Sequence, residues 1–200
     1  MHLDPEQASP ALIYATMIRA ITPRPIAWVS TLSPRGIPNL APFSYFNGVG
    51  SAPAALMFSV VNRADGSLKD TTRNLTTNPQ FVVNLVPFAL AEKMVVTAGE
   101  FAYETSEFEA AGLSPIASHR VAPPQVAESP VRFECEVLQI VNVGCGPHAA
   151  NVVIGKILWI NIADEVLDEQ HKIDPVRLDT IGRLGGQSYC RISERFEINR

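Results

Sequence analysis

The stretch that decides the fold is residues 131–143, VRFECEVLQIVNV, because its side chains alternate between apolar and charged or polar. The apolar side chains at odd positions are expected to share one face of a β-strand: Val131, Phe133, Cys135, Val137, Val141 and Val143. Arg132, Glu134 and Glu136 fall on the opposite face. Residues 144–150 predict a turn, and the apolar run at 152–162 predicts the returning strand of a β-hairpin.

Further strand patterns precede this hairpin. Residues 26–32 and 37–46 flank Ser33-Pro34-Arg35-Gly36, a sequence typical of a type I turn, so they predict a second hairpin. The apolar run at 55–61 is typical of a strand buried on both faces, and residues 80–86 predict another strand.

Helical patterns are short, and we expect helices at 8–20, 67–77, 88–98, 104–111 and near 164–172. Ser9 and Pro10 are typical of the first helix start, and Ser67-Leu68-Lys69-Asp70 matches a capping box for the second. Because no helices of crossover length separate the strands, the pattern excludes a doubly wound parallel sheet. It favours an antiparallel barrel, in which closure removes exposed strand edges.

The composition is that of a packed domain. The chain has 200 residues, of which 46% are hydrophobic and 18% charged, and its net charge is −4. These values exclude a disordered chain, and the acidic balance argues against nucleic-acid binding. We expect one domain over residues 1–200. The 16 prolines beside so few charges predict many turns and a surface that is partly covered by another molecule.

The N-terminal sequence, the length of the apolar stretches and the cysteines indicate the cellular compartment. The N-terminus has no basic region before an apolar run, so no secretory signal is predicted. The apolar stretch near 54–61 is far shorter than the ~20 residues of a membrane helix. Cys135, Cys145 and Cys190 lack C-x-x-C spacing, and we expect reduced, mostly buried thiols. The prediction is a cytoplasmic protein with no membrane partner.

Motifs for a nucleotide fold, a nucleophile or a metal are weak or missing. Gly48-Val49-Gly50 and Gly144-Cys145-Gly146 lack the third glycine of a dinucleotide fingerprint, so we expect simple turns. Cys145 and His148 share one predicted turn, where a nucleophile and its base are hard to oppose, and a structural thiol is favoured. The four histidines are scattered, so no metal site is expected.

Three polar clusters remain: Ser30-Thr31 at a strand end, NLAPFSYFN at 39–47, and SLKDTTRN at 67–74. A helix start with Lys69 and hydroxyl groups offers donors and positive charge to a phosphate. Polar groups along a strand can bond the edge of a flat heterocycle, while aromatic residues pack on its face. Together the clusters suit an anionic ring cofactor. Separately they are also explained as strand-end hydroxyls, a polar hairpin arm and a solvated helix, and the residues alone leave that alternative open.

Five segments occur in a characteristic order: TPRPIAWVST at 22–31, NLAPFSYFN at 39–47, KDTTRN at 69–74, NVVIGKI at 151–157 and RLGG at 183–186. In these segments the chain resembles the flavin reductase-like family of FMN-binding split barrels, and the resemblance covers nearly the whole sequence. It implies a mainly β fold, a six-stranded antiparallel split β-barrel of Greek-key type with short flanking helices. It also implies a homodimer that holds FMN in a groove near the subunit interface.

The resemblance also implies the role of each site residue. Ser30 and Thr31 would contact the phosphate or the ribityl chain, and Lys69 and Thr71 would bind the phosphate from the helix start. The residues that would line the isoalloxazine ring are Pro42, Ser44, Tyr45, Phe46 and Asn47. Arg24 would either counter the phosphate charge or form an ion pair. Arg183 and Tyr189 lie in the last motif, for which only closure over the site can be suggested.

The activity that the resemblance implies is that of an FMN-dependent oxidoreductase, in its simplest form a flavin reductase with NADH or NADPH as electron donor. The flavin performs the redox chemistry, so no catalytic side chain is expected. One departure concerns the late hairpin turn, where some members carry Gly-Asp-His, associated with nicotinamide use. Here the turn is Gly146-Pro147-His148. His148 also lies farther along the sequence from Gly155 than the histidine of the Gly-Asp-His pattern does. A flavodoxin-like electron-transfer protein reduced by a protein partner, or a non-enzymatic flavin-binding protein, therefore stays an alternative.

Overall fold

The computed structural model describes residues 2–198. The strands are β1 (Ala27–Leu32), β2 (Pro38–Phe43), β3 (Phe46–Ser51), β4 (Ala54–Val61), β5 (Gln80–Asn84), β6 (Pro115–Ile116), β7 (Gln125–Val126), β8 (Val131–Val143), β9 (Ala150–Ile162), β10 (Ile181–Arg183) and β11 (Tyr189–Arg191). Seven of them form one antiparallel sheet in the order β2-β1-β5-β8-β9-β4-β3. The pairs β6–β7 and β10–β11 form two small separate sheets.

The two edge strands of the large sheet, β2 and β3, are consecutive in the chain and separated only by Ser44 and Tyr45. β2 pairs with β1, whereas β3 pairs with β4, and the Tyr45 carbonyl already accepts from the Ser59 N–H at 2.9 Å. The chain therefore changes partner at a bend, and one continuous segment, 38–51, supplies both edges of the sheet. The predicted single strand at 37–46 and the closed six-stranded barrel were wrong in this respect, because this bend yields seven strands.

The β8–β9 hairpin is confirmed over its full predicted length, but its faces differ from the prediction. Register shifts occur between Glu134 and Cys135 and between Val137 and Gln139. A bulge adds one residue to one strand, so the side chains beyond it change faces. The extra residue on β8 is Leu138, so beyond it Ile140 packs against the core while Val141 and Val143 are exposed. Glu134 lies before this bulge on the face that was predicted to be polar, and it is fully buried because the loop at 119–125 covers it.

Two apolar cores lie on the two faces of β1. Ala27 and Val29 pack into a core with Phe58 and Phe81, whereas Trp28 packs into a second core formed with the helices and loops outside the sheet. Residues 26–31 are thus buried on both sides of the strand, which fixes the position of the polar residues that follow Val29.

The helices are α1 (Pro10–Ala20), α2 (Asp70–Leu75), α3 (Ala91–Val96), α4 (Glu107–Ala110) and α5 (Pro175–Leu178), with single 3-10 turns at Phe88–Leu90 and Asp164–Val166. Ser9 caps α1 as predicted, since its Oγ accepts from the Leu12 N–H at 3.3 Å. The helix predicted near 164–172 is wrong, because only the 3-10 turn forms there and α5 begins at Pro175. Within residues 2–198 no helix is long and apolar enough to cross a membrane.

The predicted capping box at 67–70 is also wrong. Ser67 donates its hydroxyl to Asp65 Oδ1 at 2.6 Å, and its N–H bonds the same oxygen at 2.9 Å. The carboxylate of Asp65 thus holds Ser67 in the preceding turn, and α2 begins only at Asp70. Lys69 takes the N-cap position and makes no side-chain capping bond. The first turn of α2 therefore lacks a side-chain acceptor.

The cysteines and glycine pairs follow the prediction only in part. Cys135 is buried, and burial, with a smaller contribution from Glu134, raises the pKa of its thiol. Cys145 is exposed and Cys190 half-buried, so the prediction of mostly buried thiols was wrong. Gly144 to Gly146 lie in the turn after β8 as expected, whereas Gly48 to Gly50 lie inside β3 at a register shift.

Gly155 on β9 provides a test of the packing in the core that contains Phe81. A Cβ atom at this position would lie 2.3 Å from Cζ of Phe81. We expect Gly155→Ala to lower the free energy of unfolding by about 1–3 kcal/mol through overpacking, as measured by urea denaturation. Gly48→Ala is the control, because its Cβ would meet nothing within 4 Å. Wild-type stability for Gly155→Ala would contradict the close approach of the Phe81 ring to Gly155.

Candidate functional site

The bent segment 38–51 carries the five residues predicted to line a ring. Pro42 lies on β2, Ser44 and Tyr45 at the bend, and Phe46 and Asn47 on β3. Asn47 is exposed and the other four are half-buried. Phe46 packs on the core inside the sheet. The structure therefore brings these residues together as a strip along an edge strand that is partly open to solvent.

Arg24 lies at one end of this strip and is only 4% exposed. It donates to the carbonyls of Ile18 and Ile21 at 2.7 and 2.5 Å, and to that of Leu184 at 3.0 Å. Its Nε reaches Ser44 Oγ at 3.3 Å. No ion pair of Arg24 is found within residues 2–198. The guanidinium therefore ties the C-terminal end of α1 to the bend, and its phosphate role stays a prediction.

Tyr45 lies next to Arg24 and near Tyr14. The guanidinium carbon of Arg24 lies 5.9 Å from the centre of the Tyr45 ring. Burial raises the pKa of the Tyr45 hydroxyl, the nearby Tyr14 raises it further, and the charge of Arg24 opposes both. The phenol therefore stays protonated at neutral pH and can donate a hydrogen bond along the strip.

Ser30 and Thr31 are both completely buried but face opposite sides of β1. The Ser30 hydroxyl donates to the carbonyl of Pro124. Thr31 Oγ1 accepts from the amide groups of Asn39 at 3.2 Å and Asn74 at 3.0 Å, which leaves its own proton free to donate. The structure places Thr31, but not the side chain of Ser30, in the polar cluster beside α2.

That cluster joins α2 to the first two strands. Asn39 Nδ2 also donates to Thr71 Oγ1 at 3.2 Å, and the Tyr103 hydroxyl donates to Asn74 Oδ1 at 3.0 Å. Sequence reasoning gave no role to Asn39, Asn74 or Tyr103. Asn39 and Asn74 are polar side chains at fully packed positions within the matched segments, and that signal could have identified them. The cluster fixes α2, and with it Lys69, relative to the bent segment.

The first turn of α2 is an electropositive site with free donors. The Lys69 residue is exposed, yet protein atoms around its side chain lower the pKa of its ammonium group, as does Arg63, while Glu100 opposes the shift. Arg63 is paired with Asp70 at 3.0 Å. Oγ1 of the buried Thr72 has no hydrogen-bond partner. An uncapped helix turn, a lysine near a second cation and an unpartnered hydroxyl are a donor set that fits an anion such as a phosphate.

The turn between β8 and β9 packs beside this helix start. Asn62 Nδ2 donates to the Gly146 carbonyl at 3.1 Å, and Asn151 Nδ2 donates to Asn62 Oδ1 at 2.7 Å. Cys145 and His148 are both exposed in the turn. These amide hydrogen bonds hold the turn that carries His148 near the loop that leads to Lys69, and no sequence motif indicated them.

The fold matches known split barrels. A split barrel domain protein from Shewanella frigidimarina superposes with a TM-score of 0.83 at 19% identity, over 100% of this chain and 99% of the other. The curled antiparallel sheet with a polar strip along its bent edge segment is therefore a split barrel, built here from seven strands.

The family follows from the sequence comparison. The model of the flavin reductase like domain matches residues 18–177. An uncharacterized protein of Aquifex aeolicus is 43% identical over 179 residues, which cover 90% of this chain and 89% of the relative. The chain belongs to the flavin reductase-like family, which confirms the resemblance inferred from the five segments.

Two solved structures with higher identity extend this result. Nitrilotriacetate monooxygenase component B from Bacillus cereus has a TM-score of 0.93 and 30% identity, covering 99% of this chain and 98% of that one. The 2-nitrobenzoate 2-nitroreductase NbaA of Pseudomonas fluorescens has a TM-score of 0.89 and 30% identity, covering 100% and 96%. This chain is similar to both over essentially its whole length.

Proposed function

We propose that this chain is an FMN-binding oxidoreductase that takes electrons from NADH or NADPH. The observation that carries the proposal is the uncapped first turn of α2 with Lys69, held by buried amides beside the open strip at 42–47. In a member of the flavin reductase-like family, this pairing suits a phosphate at one end and a flat ring along the other.

The proposal gives each residue the role that the resemblance implies. Lys69 and Thr71 would hold the phosphate, and Thr31 would meet the phosphate or the ribityl chain with its remaining hydroxyl proton. Pro42, Ser44, Tyr45, Phe46 and Asn47 would orient the ring through backbone and side-chain contacts. Bound FMN supplies a ring that accepts and releases electrons. The protein's own residues bind it, orient it and limit the access of water.

A homodimer is part of this proposal. The strip at 42–47 is partly open in the single chain, and the outer end of the β8–β9 hairpin also exposes apolar side chains, among them Leu138 and Val143. A second copy would cover such surfaces, which supports the expectation that a low-charge chain has part of its surface buried.

An electron carrier reduced by a protein partner is the second candidate. The observation that favours it is the turn Gly146-Pro147-His148, which lacks the Gly-Asp-His pattern that the resemblance associates with nicotinamide use. Reduction of the bound flavin by a protein donor, without reduction by either nucleotide, would select this candidate.

Lys69→Ala tests the proposed phosphate site. We expect the variant to weaken FMN binding by about 1.5–3 kcal/mol, roughly 10- to 150-fold in Kd, because a charge-assisted hydrogen bond is lost. The measurement is a fluorescence or calorimetric titration of FMN-free protein with FMN.

Lys172→Ala is the matched control, since Lys172 is an exposed lysine in the turn after β9, outside the site. Its Kd for FMN should equal that of the wild type. An unchanged Kd for Lys69→Ala would show that Lys69 is only a solvated helix residue.

A further inference from the structure

Helix α1 turns an apolar side toward solvent. Tyr14 and Met17 are three residues apart and Ile21 follows four residues later, so the three side chains share one face of the helix. They are 56%, 43% and 51% exposed, and no residue of α1 is buried. An amphipathic helix normally packs its apolar face on the core. This α1 stripe (Tyr14, Met17 and Ile21) is instead open in the part of the chain that the structure describes.

The helix is nevertheless held in place at its C-terminal end. Arg24 binds the carbonyls of Ile18 and Ile21. Gly185 of the RLGG segment packs on the same end, since a Cβ atom there would lie 2.5 Å from Cγ of Arg19. The contact leaves no room for a side chain at position 185. Two separate segments of the chain thus seat a helix that buries no side chain of its own, so the exposure of the α1 stripe belongs to the fold.

The seated end of α1 lies beside the strip of predicted ring-lining residues. The guanidinium carbon of Arg24, which binds the Ile18 carbonyl, is 5.9 Å from the centre of the Tyr45 ring. Tyr14 is one helical turn before Ile18 and on the same side of the helix. Its phenol lies close enough to Tyr45 to raise the pKa of that hydroxyl. Tyr14 therefore stands at the same end of the strip as Tyr45, on its open side.

The charges near Tyr14 are already engaged with protein atoms. Arg24 donates to three carbonyls and to Ser44 Oγ. Nη1 of Arg19 donates to the Ala15 carbonyl of the helix itself, at 3.0 Å. No acidic residue occurs in α1. An exposed phenol ring on an uncharged apolar stripe suits an uncharged, flat ring, which an aromatic side chain contacts at its face or edge.

We propose that Tyr14 binds the ring of the second reactant, the molecule that exchanges electrons with the flavin, and that α1 is the wall on which this ring packs. The inference rests on the proposed function, because it presumes a flavin on the strip at 42–47. The chemistry recognised is a flat, uncharged ring, either the nicotinamide of the electron donor or the ring of an acceptor. Tyr14 should therefore contribute to the binding of this second ring and not to that of FMN.

Equilibrium binding tests this role without electron transfer. FMN-loaded protein is titrated by calorimetry with NAD⁺, with NADP⁺ and, separately, with nitrobenzene as a flat, uncharged acceptor, none of which can reduce the oxidised flavin. We expect Tyr14→Ala to raise the dissociation constant of the nucleotides or of nitrobenzene about tenfold, since an aromatic contact is lost. The probe that is affected identifies the source of the ring. Tyr14→Phe should keep most of the affinity, because it keeps the aromatic ring.

Leu12→Ala is the matched control. Leu12 is 43% exposed on the same helix but two residues from Tyr14, and at about 100° per residue it lies on the opposite side. This variant should bind FMN and all probes as the wild type does. Tyr14→Ala should also keep the wild-type dissociation constant for FMN itself.

Several results would overturn the inference. An equal loss of FMN affinity in Tyr14→Ala would make Tyr14 a flavin contact. Unchanged binding of every probe by this variant, or no binding of any probe by the wild type, would remove its role in holding a second ring. A raised dissociation constant of the dimer in sedimentation equilibrium, with unchanged probe binding, would assign the α1 stripe to a second copy.

Failure of the proposed function gives a different result. In that case neither NADH nor NADPH reduces the bound FMN of the wild-type protein. The nitrobenzene titration still measures the contribution of Tyr14, because it requires no nucleotide.

Discussion

Replacing Glu134 by Ala is expected to lower the free energy of unfolding by about 3–5 kcal/mol, the range for removing one partner of a buried charged network. The carboxylate is completely buried and accepts four hydrogen bonds. Two come from the backbone N–H groups of His119 and Arg120, at 2.9 and 2.6 Å. The other two come from Gln125 Nε2 at 2.6 Å and Asn161 Nδ2 at 3.1 Å.

The charge of Glu134 has a further structural role. Nε of Arg132 is buried without a hydrogen-bond partner. Burial lowers the pKa of Arg132, and the negative charge of Glu134 opposes that shift. Glu134→Ala would therefore remove a charge that favours the partly buried cation of Arg132, in addition to leaving four donors without their acceptor, which places the expected loss at the upper end of single substitutions.

Urea denaturation of the purified variants measures this effect. Glu136→Ala is the matched control, because Glu136 lies on the same strand and is exposed. Its free energy of unfolding should stay within about 0.5 kcal/mol of the wild type. Equal losses in the two variants would show that the loop at 118–125 is not held through Glu134.

Arg24→Ala is expected to lower the free energy of unfolding by about 2–4 kcal/mol in the absence of FMN, since a buried group with four hydrogen bonds is removed. α1 contains no buried residue, so its attachment depends strongly on the two carbonyls that Arg24 binds. We therefore also expect faster amide hydrogen exchange throughout residues 10–20 of the variant.

Arg35→Ala is the control for Arg24. Arg35 pairs with Glu104 at 2.8 Å but its side chain is 78% exposed, and such surface pairs contribute at most about 1 kcal/mol. If Arg24→Ala instead keeps the stability of the FMN-free protein and only weakens FMN binding, Arg24 is a phosphate ligand. That result would contradict the structural role given to it here.

The strands were predictable from the sequence because local patterns specify them. Residues 131–143 and 152–162 alternate or run apolar, and Ser33 to Gly36 form the expected turn, with the Gly36 N–H bonding the Ser33 carbonyl at 2.9 Å. The strand count was not predictable, because it depends on a change of partner at Ser44 and Tyr45 that local patterns do not encode. The buried Glu134 was missed for a similar reason, since its four donors lie 9 to 27 residues away in sequence.

The candidate site was predictable as a set of segments more than as a set of contacts. The segments at 39–47 and 69–74 do meet, through Asn39 and Thr71. Arg24 and Ser30 were placed by motif alone, and nothing local indicates that Arg24 binds carbonyls of α1 or that Ser30 binds Pro124. The helix start was misjudged because the competing acceptor Asp65 lies just before the capping pattern.

Anaerobic titration of the FMN-loaded protein with NADH and, separately, with NADPH measures most directly whether this chain passes electrons from a nucleotide to a bound flavin. We expect the visible absorbance of the oxidised flavin to bleach in proportion to the nucleotide added, and to return when air is admitted. A protein that binds FMN but keeps its oxidised spectrum with both nucleotides would contradict the reductase function.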